Sequence, residues 1–122
     1  MANILLIEDN PSVSFAVQTM LEALGHWVHT APNGSAGLSL LQEHPDLDLV
    51  FTDIMMPVLD GISVLLQLRQ QHPELPVVAM TGRQDSSYLR TAGQLGARAT
   101  LYKPFNLQEL KELLASIGFG TP

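Results

Sequence analysis

At 122 residues the chain is long enough to bury one core of its own, and 46% hydrophobic against 15% charged content excludes a disordered, collagenous or membrane-spanning polypeptide. A formal net charge of −6 with only six lysines and arginines excludes direct nucleic-acid binding, because counterion release needs clustered cations. The absence of cysteine removes disulfides, thiolate metal sites and thiol nucleophiles, so the fold must hold by packing.

The opening M-A-N-I-L-L-I-E-D has no basic segment and too short an apolar stretch for a signal peptide, so a cytoplasmic protein with no membrane partner is expected. Within it, Ile4 to Ile7 reads as a strand. Asn10-Pro11 then supplies an N-cap and a proline at the first helical position, and the helix runs to about Leu24, where Gly25 stops it. A second strand, Trp27 to Thr30, mixes polar residues in, and a helix follows at about 34–44. The third strand, Leu47 to Thr52, is apolar in its later part and leads to a helix at about 61–72. Val77 to Met80 is a fourth, apolar strand before a helix at about 86–95, and Ala99 to Tyr102 is a fifth, mixed in character. Asn106-Leu-Gln-Glu109 has the spacing of a capping box and opens the last helix, whose stripe of Leu107, Leu110, Leu113, Leu114 and Ile117 ends at Gly118.

Five strand–helix pairs imply a mostly parallel sheet covered on both faces. The apolar strands belong in its middle and the mixed ones at its edges. The fold class predicted is therefore α/β, a flavodoxin-like doubly wound five-stranded parallel sheet of order 2-1-3-4-5 with five helices. One domain is expected over residues 1–118, with 119–122 as a C-terminal tail.

Ligands of such sheets sit beyond the carboxyl ends of the strands, near the point where the strand order reverses. Strand one finishes at Glu8-Asp9, strand three at Asp53, strand four at Thr81-Gly82 and strand five at Lys103-Pro104. Three carboxylates on one edge repel one another unless a cation sits among them. An oxygen-only donor set points to Mg2+, with Mn2+ as a substitute. A metal, a lysine and a threonine hydroxyl around one aspartate suit phosphoryl transfer, with Asp53 as the nucleophile.

With these residues assembled, essentially the whole chain resembles the receiver domain of bacterial two-component response regulators. The resemblance implies the following roles. Asp53, followed by I-M-M-P-V-L-D-G, matches the phosphoaccepting aspartate. Asp9 matches the direct magnesium ligand, Glu8 acts through water, and the backbone carbonyl of Met55 completes the metal site. Thr81 matches the switch hydroxyl, Lys103 the lysine that pairs with the phosphoryl group, and Pro104 a proline after a cis peptide bond. The implied phosphodonor is a histidine kinase or histidine phosphotransfer protein. The implied readers are a downstream protein target or a separate output domain that senses the face formed by helix four, strand five and helix five. A phosphorylation-dependent homodimer is also compatible. Such a protein catalyses only its own phosphorylation and dephosphorylation.

Taken singly, each residue is an ordinary surface feature: Asp53 a turn former, Glu8-Asp9 a favourable helix entrance, Thr81-Gly82 a turn, Lys103-Pro104 a solvated loop. Their coincidence on four strand ends is what argues for a site. The four histidines do not resemble phosphodonors: His26 and His29 lie on or beside an edge strand, and His44 and His72 end helices before prolines. Trp27 is expected to be an edge-strand packing residue.

Two departures from the family pattern stand out. Many receivers carry an aromatic residue three positions before the lysine, where this chain has Thr100. Tyr102 lies on the same side of the strand and is a substitute switch aromatic. Near the site, an apolar Met55 side chain cannot orient water, and with Arg83 beside it no fast self-hydrolysis is expected. Rival readings are an aspartate-nucleophile phosphatase, which lacks its second aspartate because position 55 is methionine, and a flavin module, whose phosphate Glu8-Asp9 would repel. A third is a pseudo-receiver that binds partners without phosphorylation, favoured only by Thr100.

Overall fold

A computed structural model describes residues 1–54, 61–82 and 86–120. Its strands are β1 (Asn3–Ile7), β2 (Trp27–Ala31), β3 (Leu49–Asp53), β4 (Val77–Gly82) and β5 (Ala99–Lys103). Its helices are α1 (Pro11–Ala23), α2 (Gly34–Glu43), α3 (Gly61–Gln71), α4 (Ser86–Gln94) and α5 (Leu107–Ser116). Among the described residues all strands pair in parallel in the order β2-β1-β3-β4-β5, the order expected from the sequence.

The sheet is central because its middle strands are apolar on both faces. β3 is buried along its whole length, and β4 at every residue but its last. On one face Leu5, Ile7, Val50, Val77 and Ala79 pack with α2, α3 and α4 through Leu41, Val64, Leu68 and Leu89. On the other Ile4, Leu6, Phe51, Val78, Met80 and Leu101 pack with α1 and α5 through Val17, Leu21, Leu110 and Leu114. Phe119, beyond α5, also lies on this second cluster, and its N–H donates to Leu114 O. No described helix is long and apolar enough to cross a membrane.

Local chemistry sets the boundaries. Asn10 Oδ1 accepts from the N–H groups of Ser12 and Val13, and Asn106 and Glu109 form the reciprocal capping box at α5. Gly25 turns the chain out of α1 with φ +93°, a conformation glycine adopts without a Cβ penalty. At Gly37 the sequence allows close contact between helix and sheet: a Cβ there would clash with the Ile7 side chain, so glycine lets α2 approach β1 without displacing it.

Two expectations change. The third strand begins at Leu49, because Asp48 instead pins the bottom of β1, its N–H donating to Asn3 O and its carboxylate accepting from Asn3 N–H. Trp27 packs less than the edge-strand packing residue expected. It is 54% exposed, because it opens the outermost strand beyond the end of α2, whereas His29 two residues on is covered by the ring of His44 at 4.3 Å.

Candidate functional site

The register of the sheet brings the strand ends level: Ile7 pairs with Thr52, Asp53 with Met80, and Gly82 with Lys103. Glu8 and Asp9 follow β1 directly, so the acidic pair faces the end of β3. Glu8, Asp9 and Asp53 each place a carboxylate oxygen within 4.8 Å of the others, with Glu8 and Asp53 buried and Asp9 exposed.

Lys103 bridges the two buried carboxylates. Its Nζ donates to Glu8 Oε1 at 2.8 Å and to Asp53 Oδ2 at 2.9 Å. The other Glu8 oxygen accepts from the Asn10 N–H at 3.1 Å, so the turn that caps α1 also orients the glutamate. Burial pushes the Glu8 carboxyl up from 4.5 to about 7, opposed by its bonds to Lys103 and Asn10 and assisted by the charge of Asp53. Burial alone would lower Lys103, but its hydrogen bonds to Glu8 and Asp53 and their charges together raise it, so the lysine stays an ammonium. The Lys103–Pro104 peptide is cis.

Thr81 lies at the end of β4, one strand over from Asp53. It is 1% exposed and its Oγ1 has no hydrogen-bond partner among the described residues, which is costly for a buried hydroxyl unless a ligand completes it. A mostly apolar groove of about 490 Å³ opens beside the site between α1 and the turn after β5, lined by residues including Val13, Met20, Lys103, Pro104 and Phe105.

The donor set suits a hard cation. Three convergent carboxylates supply only oxygen, one of them open to solvent, and a buried hydroxyl nearby awaits an acceptor, so these residues fit Mg2+. Of the residues singled out from sequence, Glu8, Asp9, Asp53, Lys103 and Thr81 meet here; Tyr102 lies one residue back on β5 and is 36% exposed. Met55, with its carbonyl, and Pro57, Asp60 and Arg83 lie outside the described residues. Sequence reasoning missed the Asn10 N–H on Glu8 and the double pairing of Lys103, for which motif spacing carries no signal.

The family profile of the response regulator receiver domain matches residues 4–115. The chain belongs to that family. The receiver domain is 34% identical over 115 residues to the "Probable transcriptional regulator ycf27" of Cyanidium caldarium, covering 94% of this chain and 45% of that one. Among solved structures, a response regulator receiver domain protein from Clostridium thermocellum superposes with a TM-score of 0.89 at 31% identity, covering 95% and 93% of the two chains. Vibrio cholerae chemotaxis protein CheY4 gives a TM-score of 0.87 at 28% identity, covering 96% and 98%. This receiver domain spans less than half the length of the curated relatives it matches. It is a two-component phosphoacceptor by family, and Mg2+ binding is typical of that family.

Proposed function

We propose that the chain accepts a phosphoryl group on Asp53 from a histidine kinase or histidine phosphotransfer protein, with Mg2+ as cofactor and Mn2+ as a substitute. It then acts by changing which protein target or output domain it binds. The observation that carries this reading is the environment of Asp53: a lysine ammonium at 2.9 Å, two further carboxylates within 4.8 Å and an unpartnered buried hydroxyl at the end of the next strand.

In the transfer, an Asp53 carboxylate oxygen attacks phosphorus in line. The O–P bond forms as the N–P bond to the donor breaks, and the donor imidazole, protonated at its other nitrogen, leaves neutral. Glu8, Asp9 and Asp53, with the Met55 carbonyl, would hold the ion, whose charge offsets that developing on the phosphoryl oxygens. Lys103 exchanges its bond to Asp53 for one to a phosphoryl oxygen. Thr81 donates its hydroxyl proton to another and so gains the partner it lacks.

Because Thr81 pairs in register with Tyr102, reorientation of the threonine is felt on β5, and Tyr102 serves as the switch aromatic in place of Thr100. The output surface is then the α4–β5–α5 face, whose pre-existing equilibrium the acyl phosphate biases. With methionine at position 55 the phosphoryl group should persist well beyond seconds.

The test is incubation with phosphoramidate, whose P–N bond imitates phosphohistidine, in the presence of Mg2+. The expected product is a phosphoryl group that maps to the peptide containing Asp53 and is removed by hydroxylamine, as an acyl phosphate is. A hydroxylamine-stable phosphoryl group on another residue would overturn the assignment. Absence of any product, with partner binding retained, would favour the pseudo-receiver.

A further inference from the structure

The acidic site occupies the carboxyl ends of the strands, and the amino ends carry a second opening. A cavity of about 370 Å³ lies there between the end of α2 and the turn from α3 into β4. Its lining includes Leu47, two residues before β3, and Leu75, two residues before β4, so a full strand length separates it from Asp53. Leu41, Leu47 and Leu75 belong to the core cluster packed under α2, α3 and α4. At 5%, 7% and 7% exposure they are the most accessible of its buried members, so this is where that core opens to solvent.

The rim of the cavity is polar and its charge has one sign. Gln42 and Glu74 are exposed and His72 is half-buried, and among the described residues none of these three side chains has a hydrogen-bond or ion-pair partner. No lysine or arginine lines the cavity. Arg69 keeps its charge but lies across the turn, its guanidinium donating to the carbonyls of His72, Pro73 and Leu75 and its stem lying against Gly96 beyond α4. On the side of the cavity, α2 ends without a basic residue in its last turn, so its free carbonyls add partial negative charge. Glu43 and Asp46, each next in sequence to a lining residue, add two further carboxylates.

We infer that this cavity binds a small organic cation of the arylalkylamine class, a single apolar ring on a short chain that ends in an ammonium group. The ring rests on the three leucines and the ammonium donates to the Glu74 carboxylate and the Gln42 amide oxygen. Burial of the ring supplies the attraction, and the sign of the rim selects the charge. The cavity is near the small end of the range of roughly 300–1,000 Å³ found for ligand sites, which suits one ring, and Glu74 repels a phosphate-bearing ligand. None of the residues around Asp53 takes part, so the inference goes beyond the proposed function and neither depends on the other.

The experiment titrates the full chain with 2-phenylethylamine and follows backbone amide shifts by NMR. Phenylacetate, with the same ring and the opposite charge, and ethylamine, with the amine and no ring, are the controls. Saturable binding of 2-phenylethylamine in about the millimolar range or tighter is expected, with shifts confined to residues 41–48 and 71–77 and both controls at least about fivefold weaker. Glu74→Gln should weaken binding about fivefold, the upper end for an exposed charge pair. Gln42→Trp, on the exposed face of α2, should abolish it by filling the mouth without changing any charge. Both positions lie outside the core, so the variants fold. Equal binding of phenylacetate, native affinity in either variant, or no saturation by about 10 mM overturns the inference. Shifts centred on Glu8, Asp9 and Asp53 also overturn it, because the amine would then be a counter-ion of the acidic cluster.

Discussion

Replacing Lys103 with methionine keeps an unbranched side chain one atom shorter and removes its charge. Glu8 and Asp53, with side chains 0% and 5% exposed, then face each other without a cation. Removing one partner of a buried ion pair typically destabilises by about 3–5 kcal/mol. Here that loss has a limit set by Glu8. Its carboxyl already titrates at about 7 with Lys103 present, so without the lysine it rises further and takes up a proton when one is available. At about pH 5.5 the variant therefore carries one neutral carboxyl, still accepting from Asn10, and the loss falls to about 1–2 kcal/mol.

The sign follows from linkage. The folded carboxyl titrates above its ordinary 4.5, so its favourable contribution is complete below that pH and disappears as pH rises through about 7, a change of about 3 kcal/mol in the native protein. In the variant the same decline continues to higher pH. The difference between native and Lys103→Met should therefore grow from about pH 5.5 to about pH 8.5, where it approaches the full buried-pair value. Urea unfolding followed by far-ultraviolet circular dichroism, with EDTA throughout, measures it directly. Equal losses at both pH values, or a larger loss at the acid end, would refute the reasoning that Lys103 serves to hold two buried negative charges.

Other expected outcomes concern neighbouring features. Thr81→Val should leave the unphosphorylated protein within about 1 kcal/mol of native or make it more stable, since the hydroxyl it removes has no partner, as denaturant midpoints will show. Mg2+ at about a hundred times its dissociation constant should stabilise the native fold by about 3 kcal/mol, and Asp9→Asn should reduce that gain in a thermal melt. Gly37→Ala should destabilise by about 1–3 kcal/mol because its Cβ meets Ile7, and Ile7→Ala in the same chain should relieve part of the clash, giving a non-additive double-mutant cycle. His26 is buried and held below its usual 6.5 by burial and by the N-terminal charge, with Nδ1 accepting from Ala2 N–H. Its contribution is present above 6.5 and lost as pH falls, so His26→Gln should flatten the acid side of the stability profile.

Much of the fold was legible because strand burial writes itself as composition. I-L-L-I and V-V-A-M read as strands covered on both faces, the mixed character of β2 and β5 marked them as edges, and strand order followed. Helix entrances were legible where a side chain caps the backbone, at Asn10 and Asn106. What the sequence does not carry is the balance between neighbours. Asp48 could continue a strand or tie down Asn3, and only the position of β1 decides. Trp27 has the composition of a core residue but opens the outermost strand, past the reach of α2. The stack of His29 on His44 joins residues fifteen positions apart that no periodicity connects.

The site shows the same division. Its members were legible because each sits at a strand end, and a parallel sheet brings those ends together. Their pairing was not, because whether Lys103 meets one carboxylate or two depends on rotamers and on a backbone N–H at Asn10. The unpartnered hydroxyl of Thr81 was equally invisible: in sequence a threonine before glycine is a turn, and only burial turns it into a donor without an acceptor.

The most direct measurement of the central claim is intact mass after incubation with acetyl phosphate, with and without Mg2+, on the native chain and on Asp53→Ala. The native chain should gain the mass of one phosphoryl group only when Mg2+ is present, and the variant should gain none. A gain of equal size in the variant, or one indifferent to Mg2+, would contradict the assignment of Asp53 and of the acidic cluster around it.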